Sequence, residues 1–211
     1  MGDLNERIRH PESRAKVMTA AEAAGLFRDG MLVATSGSMM GFPKATFGAL
    51  AEQVRTQGVL RIDLMCAGPL SSEFEDVLFE AGAIRRRIGA IGGEKLRGGI
   101  NRGEVTFFEG KGSQLPLQVK RGWFGALDMA VIEAVGLTEA GRIIPSTAVY
   151  DAPEWIETAS QVIVEINLKR PLSLEGIHDI YQRGPDPIPV LGTGNPLKRI
   201  GVPYFPVDPK K

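Results

Sequence analysis

The residues whose types and spacing can do chemistry begin with a glycine-containing segment, residues 29–44. The apolar run Met31–Ala34 follows an Asp-Gly pair and predicts a short buried strand. Gly37 and Gly41 then allow the backbone to bend sharply and to approach a ligand closely. Pro43 starts a segment with helical character, and open α/β sheets bind small molecules in loops between a strand and a helix. The segment is therefore a candidate ligand loop, and the alternative is an ordinary strand-to-helix turn.

A second polar group lies near the other end of the chain and contains Glu175, His178 and Asp179. On a helix, Glu175 and Asp179 would share a face one turn apart with His178 beside them, and such a group can bind a metal or orient a base. The other histidine, His10, is distant in sequence, and a zinc site normally needs about three or four ligands. A structural hydrogen-bonded cluster, or packing against a further part of the protein, is favoured. No metal is expected.

Two other segments contain charge or glycine that can meet an anion. The run Arg85-Arg86-Arg87 alternates faces on a predicted strand and can meet an anionic ligand or carboxylates on a partner. A solvated surface or a salt-bridged edge strand is favoured. The glycines of 89–93 and of Arg97-Gly98-Gly99 can cradle a phosphate, but with no strand before them and no helix after them the pattern has little specificity.

Helical signals surround these residues. Thr19 with Glu22 three positions later forms a capping box, which predicts a short helix over 20–27. Apolar residues at helical spacing predict three further helices, with an acidic outer face on the middle one and Asp151 as the N-cap of the last: 44–57, 73–82 and 153–159.

Strand signals alternate with the helical ones. Apolar or alternating runs predict strands over 31–34, 60–66, 84–91, 126–134 and 161–167. Residues 101–108 are expected to form a strand or a turn-strand element, and 115–120 to be irregular. Strands and helices alternating at this spacing predict an open, mostly parallel α/β sheet with helices on both faces and right-handed crossovers.

Composition limits the class of function. The 25 lysine and arginine residues balance 25 aspartate and glutamate residues, so nothing favours nucleic-acid or membrane-surface binding. Cys66 is the only cysteine, which fits a reducing, cytoplasmic setting and leaves no internal disulfide or cysteine-based metal cluster. The charged N-terminus and the lack of a long apolar run predict a soluble protein that is not exported.

The last part of the chain differs in character. From Pro171 onward prolines are too frequent for regular structure and suit an extended segment lying over a surface. We predict an N-terminal α/β domain over 1–184 and a proline-rich extended tail over 185–211. The chain reaches Lys211 without a closing helix, as expected of part of a longer protein or of a chain docked against another.

Five segments, in order, resemble the N-terminal half of the acetyl-CoA hydrolase/transferase family of class I CoA-transferases, whose best-known members are succinyl-CoA:acetate CoA-transferases. The five segments are 6–9, 29–44, 100–104, 162–167 and 174–180. The last of them contains Glu-Gly-Ile-His-Asp-Ile, and together they span nearly the whole chain. The resemblance implies a CoA-transferase-like fold, with coenzyme A as substrate and product, acyl-CoA and small carboxylates as ligands, and a homo-oligomer of the full protein.

The resemblance also implies where the chemistry occurs. Family members move coenzyme A between carboxylates through a glutamyl-CoA thioester, and the nucleophilic glutamate lies in the family's C-terminal half. No segment here matches that half, and Glu133, Glu165 and Glu175 do not stand in a matching context. The chain is therefore expected to be an N-terminal domain or subunit whose tail leads to a missing C-terminal domain, and to be inactive alone.

On this resemblance, the glycine-containing segment forms a wall of the acyl and carboxylate pocket. The candidate substrate-binding residues are Gly37, Ser38, Met39, Met40, Gly41, Phe42 and Lys44. Backbone N–H groups beside the small residues can face an oxyanion or carboxylate, and the lysine can offset its charge. The methionines and the phenylalanine can line a short acyl chain, with plain core packing and a surface lysine as the alternatives.

Two alternatives for the whole chain stay open. One is a non-catalytic α/β module that binds acyl-CoA or a carboxylate, or that serves as a scaffold subunit. The other is the N-terminal part of an acetyl-CoA hydrolase, in which water instead of a carboxylate opens the intermediate.

Overall fold

The computed structural model describes residues 4–38, 40–181, 198–208 and 210–211. Within them a single seven-stranded sheet forms the centre of the molecule. Its strands are β1 (Leu32–Thr35), β2 (Ile62–Cys66), β3 (Ile84–Gly89), β4 (Thr106–Phe108), β5 (Met129–Leu137), β6 (Ile143–Pro145) and β7 (Gln161–Ile166).

The sheet is mostly parallel, as predicted. Its order is β4-β3-β2-β1-β5-β6, and β7 pairs with β5 as well. The β6 strand is antiparallel to β5, while the other pairings are parallel. The chain builds outward from β1 through β2, β3 and β4, and then returns to the other side of β1 with β5. The strand order therefore reverses at β1, which makes the crevice beyond the carboxyl ends of β1 and β5 the topological switch point.

Eight helices and one 3₁₀ turn complete the described part of the chain. They are α1 (Leu4–Arg7), α2 (Pro11–Arg14), α3 (Ala20–Ala24), α4 (Lys44–Gln57), α5 (Ser72–Glu80), α6 (Glu94–Asn101), α7 (Leu115–Lys120), α8 (Ala152–Thr158) and the 3₁₀ turn at Leu172–Leu174. The bounds of α4 agree with the prediction, and the capping box of Thr19 with Glu22 forms in α3. Asp151 occupies the N-cap position of α8 without a side-chain hydrogen bond to its first turn.

Helices occur at two places where none was expected. The helix α6 was not predicted, and residues 115–120 form α7 instead of an irregular piece. After α6 a turn leads into the strand 106–108, in agreement with the turn-strand alternative for 101–108. Gly98 and Gly99 lie inside α6 and lower its helix propensity. Pro116 stands in the first turn of α7, where proline is tolerated.

Hydrophobic side chains form a core on each face of the sheet, which explains why the central strands are continuously apolar. Successive residues of β1 alternate between them: Leu32 and Ala34 pack with α8, and Val33 packs with α4 and α5. All nine residues of β5 are buried. The prediction of helices on both faces is confirmed.

The outer face of α5 is less acidic than predicted. Glu75 and Asp76 are buried, with 0% and 8% of their surface exposed, while Glu73 and Glu80 face solvent. The reason lies on neighbouring elements, where a buried arginine and three backbone amides donate hydrogen bonds to these two carboxylates.

Residues 198–208 return to the sheet. Phe205 is fully buried and pairs with Ile143, and Val202 pairs with Ile180. Several prolines of the predicted tail, and the predicted boundary at 184/185, lie in 182–197, outside the described residues. The two-part division of the chain therefore stays a prediction.

Candidate functional site

The candidate site is the β1 loop (36–43), which connects β1 to α4 at the topological switch point. Gly37 and Gly41 have positive φ angles of 132° and 67°, which glycine adopts without steric cost. A Cβ at Gly41 would also lie 2.8 Å from the Cβ of Ala148. Both glycines are therefore required by backbone shape and close packing, as the sequence indicated for a sharply bent loop.

Neighbouring loops support the β1 loop from two sides. A Cβ at Gly68, after β2, would lie 2.8 Å from the carbonyl oxygen of Gly37 and 3.3 Å from the Tyr150 ring. Tyr150, before α8, has a φ of 42°, the one positive φ of a non-glycine residue in the described chain. The hydroxyl oxygen of Tyr150 lies close to Gly112, because a Cβ added at Gly112 would be 3.3 Å from it. Burial raises the pKa of this phenol, so it stays protonated and able to donate a hydrogen bond at neutral pH.

Sequence reasoning missed both Gly68 and Tyr150. The Gly68-Pro69 pair was a detectable signal, because glycine at the carboxyl end of a predicted parallel strand marks a turn at the ligand edge. Tyr150 had no comparable signal, since its place depends on loops that come together only in three dimensions.

The predicted site residues differ in exposure. Met40 is 60% exposed and Ser38 is half-buried, so both present side-chain atoms at the surface of the loop. Lys44 is exposed, with its Nζ 5.2 Å from the centroid of the Phe42 ring. Phe42 is only 2% exposed and packs edge-on against Phe74 at 5.0 Å, so it lies in the core beneath the loop. Met39 lies outside the described residues.

The backbone amides of the β1 loop and of the helix that follows it differ in their hydrogen-bond partners, and Gly37 and Gly41 are themselves buried. The N–H groups of Gly37, Ser38 and Gly41 have no hydrogen-bond acceptor among the residues that the structure describes. The first turn of α4 is different, because the Glu165 carboxylate accepts the amides of Ala45 and Thr46 at 3.0 and 2.8 Å. An anion at this site would therefore meet the loop amides, and the helix N-terminus already has its own carboxylate.

The thiol beneath the loop is inert. Cys66 ends β2, is fully buried and lies 3.4 Å from the carbonyl oxygen of Gly37. Burial raises its pKa to about 12, so the thiolate that would act as a nucleophile does not form at neutral pH. Cys66 therefore supports the loop by packing.

The β3 loop (90–93) has the strand before it and the helix after it that the sequence seemed to lack. The amides of this loop bind a carboxylate of the protein itself. The Glu75 carboxylate accepts the amides of Gly92 and Gly93, each at 2.7 Å, and receives a hydrogen bond from Nε of Arg87 at 2.8 Å. A carboxylate from α5 thus stands where a phosphate would bind, and the loop serves the fold.

The arginine run is salt-bridged, as favoured, but it lies on an interior strand. Arg85 and Arg86 contact the carboxylate of Asp63 on β2 at 2.9 and 2.7 Å, whereas Arg87 is fully buried against Glu75. Because β3 lies between β2 and β4, the prediction of an edge strand was wrong.

The second polar group is not helical. Glu175 follows the 3₁₀ turn and is bound by Arg9 through two hydrogen bonds, at 2.9 and 2.5 Å, which hold the pKa of its carboxyl below the usual value. Asp179 accepts the amides of Ile200 and Gly201 at 3.1 and 2.7 Å. The prediction that Glu175 and Asp179 share a helical face was wrong, because the chain turns at Gly176, which has a φ of 80°. Glu175 and Asp179 thus make structural hydrogen bonds, which agrees with one of the two favoured roles, whereas Nδ1 of His178 is buried without a hydrogen-bond partner among the described residues.

The glutamates that stand outside a matching context also have structural partners. Glu165 caps α4, and Glu175 binds Arg9. Glu133 is buried, where it accepts hydrogen bonds from the Ser146 hydroxyl and from Nδ2 of Asn167. Within the described residues no group of three or more histidine, cysteine, aspartate or glutamate side chains is arranged to hold a metal, and no helix is long and apolar enough to cross a membrane.

Curated proteins similar to this chain are CoA-transferases and acetyl-CoA hydrolases. The chain is 35% identical over 212 residues to the succinyl-CoA:acetate CoA-transferase of Clostridium kluyveri, covering 98% of this chain and 39% of that protein. It is 34% identical over 220 residues to the acetyl-CoA hydrolase of Schizosaccharomyces pombe, covering 99% and 42%. The chain thus spans about two fifths of the length of these relatives.

Solved structures share the fold at low sequence identity. RipA from Yersinia pestis matches with a TM-score of 0.59 and 18% identity, over 80% of this chain and 38% of that one. Glutaconate coenzyme A-transferase from Acidaminococcus fermentans matches with a TM-score of 0.55 and 15% identity, over 72% and 68%. The family model for the acetyl-CoA hydrolase/transferase N-terminal domain matches residues 1–211. This family-model match shows that the chain belongs to the acetyl-CoA hydrolase/transferase family.

Proposed function

We propose that this chain is the N-terminal part of an acyl-CoA:carboxylate CoA-transferase that acts on short acyl-CoAs in a reducing cytoplasm. It contributes a wall of the acyl and carboxylate pocket, and a C-terminal half provides the nucleophilic glutamate. The observation that carries the proposal is the β1 loop at the switch point of a CoA-transferase-like sheet. Its amides at Gly37, Ser38 and Gly41 have no acceptor among the described residues, and the Met40 side chain is exposed.

The proposed chemistry requires hydrogen-bond donors at the reacting carbonyl groups. The glutamate carboxylate attacks the thioester carbonyl and expels the CoA thiolate, which leaves an acyl-glutamyl anhydride. The thiolate then attacks the glutamyl carbonyl, forming the glutamyl-CoA thioester and releasing the first carboxylate. Negative charge develops on a carbonyl oxygen in each step, and the amides of Gly37, Ser38 and Gly41 are suited to stabilise such an oxyanion or to bind the carboxylate.

The side chains of the loop contact the acyl group, compensate the carboxylate charge and support the loop from the core. Met40, with Met39 beside it in sequence, lines the short acyl group, since an exposed thioether chain adapts to apolar ligands. Lys44, at the first position of α4, offsets the carboxylate charge. Phe42 holds the loop in place from the core.

An acetyl-CoA hydrolase is the second candidate, because a relative with that activity is 34% identical over 99% of the chain. The two activities differ in whether a carboxylate or water opens the glutamyl-CoA intermediate. Adding acetate or succinate separates them: a transferase forms the new acyl-CoA, whereas a hydrolase releases free thiol at a rate that does not depend on the acceptor.

A thiol-release and acyl-transfer assay tests the proposal. The chain is assayed alone and then with a C-terminal half, supplied from the C. kluyveri relative. Turnover only when both parts are present is the expected result. Turnover by this chain alone would place a nucleophile within it and would refute the proposed division of labour, and no turnover in either case would favour a non-catalytic binding module.

A further inference from the structure

An apolar groove of about 510 Å³ runs along β7, on a part of the molecule that the proposed pocket does not use. Three large apolar side chains that line it are exposed: Leu4 by 39%, Val17 by 48% and Met18 by 45%. Half-buried residues of β7 form its other wall. Clustered exposed apolar side chains of this kind mark an interaction surface.

The backbone of β7 is an open sheet edge. In the described part of the chain β7 pairs with β5 alone. The amides of Gln161 and Asn167 donate to carbonyls of β5 or of the residue just before it, at 3.0 and 2.8 Å. Because alternate residues of a parallel strand point to opposite sides, the amides of Val164 and Ile166 point away from β5. An apolar edge strand without cover is a template for pairing with another segment.

One residue of the described chain, Lys211, already contacts the free edge of β7. The Val162 amide, which also points away from β5, donates to the Lys211 carbonyl at 3.3 Å. Lys211 Nζ also binds the carbonyl oxygen of Glu157 at 2.6 Å. The backbone of Lys211 therefore lies at the groove beside β7, and shows that this edge accepts a hydrogen-bonding backbone partner.

The groove adjoins the β1 loop. Ala45 and Thr46, at the start of α4, line the groove and are bound to β7 through the Glu165 carboxylate. Whatever occupies the groove therefore lies next to Lys44 and the loop that precedes it.

We propose that this groove is the docking surface for the C-terminal half that the longer relatives possess, and that an extended apolar segment of that half pairs with the free edge of β7. The C. kluyveri relative is matched over only 39% of its length, so most of such a protein lies outside the matched part. Strand addition satisfies the amides of Val164 and Ile166, and apolar side chains cover Val17 and Met18. The proposal rests on family membership and not on the pocket role of the β1 loop.

Charge substitution tests the docking surface. This chain is co-expressed with a tagged C-terminal half of the C. kluyveri relative, and its retention on the tag is measured. Val17→Lys is expected to lower retention by about tenfold or more, because an ammonium group would be buried in an apolar contact. Val59→Lys is the matched control, since Val59 is 79% exposed and does not line the groove. Thermal unfolding of each isolated variant checks that the chain still folds.

Hydrogen exchange gives a second readout that does not depend on any variant or on turnover. The amides of Val164 and Ile166 should exchange about tenfold or more slowly in the complex than in the chain alone. Equal retention of both lysine variants, unchanged exchange at β7, or no association of the wild-type halves would overturn the proposal. So would a dimer of this chain alone with the same amides protected, because a second copy would then be the occupant.

Discussion

The β1 loop and the β3 loop both follow a parallel strand, contain glycines and lead into a helix, but their amides have different partners. Glu75 accepts the amides of Gly92 and Gly93 and pairs with Arg87, and both charged side chains are fully buried. The amides of Gly37 and Ser38 have no acceptor among the described residues. The comparison teaches that glycines after a strand do not by themselves indicate a ligand site. Such a loop can bind a ligand only where no carboxylate of the fold already accepts hydrogen bonds from its amides.

The largest expected effect removes the internal anion of the β3 loop. Glu75→Gln leaves the Arg87 charge buried without its counter-ion, so we expect the free energy of unfolding to fall by about 3–5 kcal/mol, measured by urea denaturation. Glu80→Gln on the same helix is the control, since the Glu80–Lys95 pair is exposed and its loss should leave the midpoint unchanged. A cost at Glu75 as small as that at Glu80 would contradict the structural role of the β3 loop.

Changing the shape of the β1 loop should have a smaller effect on stability and a clear effect on function. Gly41→Ala imposes a positive φ on alanine and brings its Cβ to 2.8 Å from the Cβ of Ala148, so we expect a cost of about 1–3 kcal/mol. Acyl transfer by the complete protein should fall as well, because the loop amides shift. Gly48→Ala, inside α4 with open space around it, should instead raise stability by about 0.5–1 kcal/mol. Transfer unaffected by Gly41→Ala would argue against the loop as a pocket wall.

Changing the side chain that the β1 loop exposes should affect selectivity alone. Met40→Ala is expected to change the free energy of unfolding by less than about 0.5 kcal/mol, because Met40 is 60% exposed. The preference between acetyl-CoA and a longer acyl-CoA should change about tenfold, the scale of a methylene difference in an apolar pocket. Ile177→Ala, at the same 60% exposure, should change neither property. Identical acyl preference in both variants would remove Met40 from the pocket.

The Arg9–Glu175 pair is expected to give the smallest effect, since it is partly exposed. Hydrogen bonds from Arg9 lower the pKa of Glu175, so its stabilisation is present at neutral pH and is lost as pH falls through that lowered value. Glu175→Gln should therefore cost about 1 kcal/mol or less at pH 7 and nothing at about pH 2. Chemical denaturation at both pH values measures this. Glu139→Gln, with a side chain 75% exposed, should show a smaller difference, and a Glu175 effect that persists at low pH would exclude the ion pair as its cause.

The sequence predicted the elements whose signals are local. The apolar spacing of α4, the capping box of α3 and the apolar runs of β1, β2 and β7 each depend on residues a few positions apart. The β1 loop was located for the same reason, because its glycines stand between a clear strand and a clear helix. The alternation of these elements predicted the α/β fold class, and the family resemblance over five segments then implied a CoA-transferase-like fold.

Features that depend on contacts between elements could not be predicted in this way. The sequence favoured a solvated or salt-bridged run for Arg87, but its full burial and its partner Glu75 depend on the approach of α5. Gly99 lowers helix propensity locally, but a Cβ there would lie 2.3 Å from the Phe79 ring, so glycine is needed for α5 and α6 to pack. Tyr150 likewise joins the candidate site through its neighbours in space.

The central claim is that the β1 loop contacts the substrate and the β3 loop does not, and amide hydrogen exchange tests it most directly. The protein assembled with a C-terminal half is measured with and without an acyl-CoA and its carboxylate. We expect the amides of Gly37, Ser38 and Gly41 to exchange more slowly when ligand is present, with no change at Gly92 and Gly93. Unchanged exchange in the β1 loop, or protection that appears in the β3 loop instead, would contradict the account.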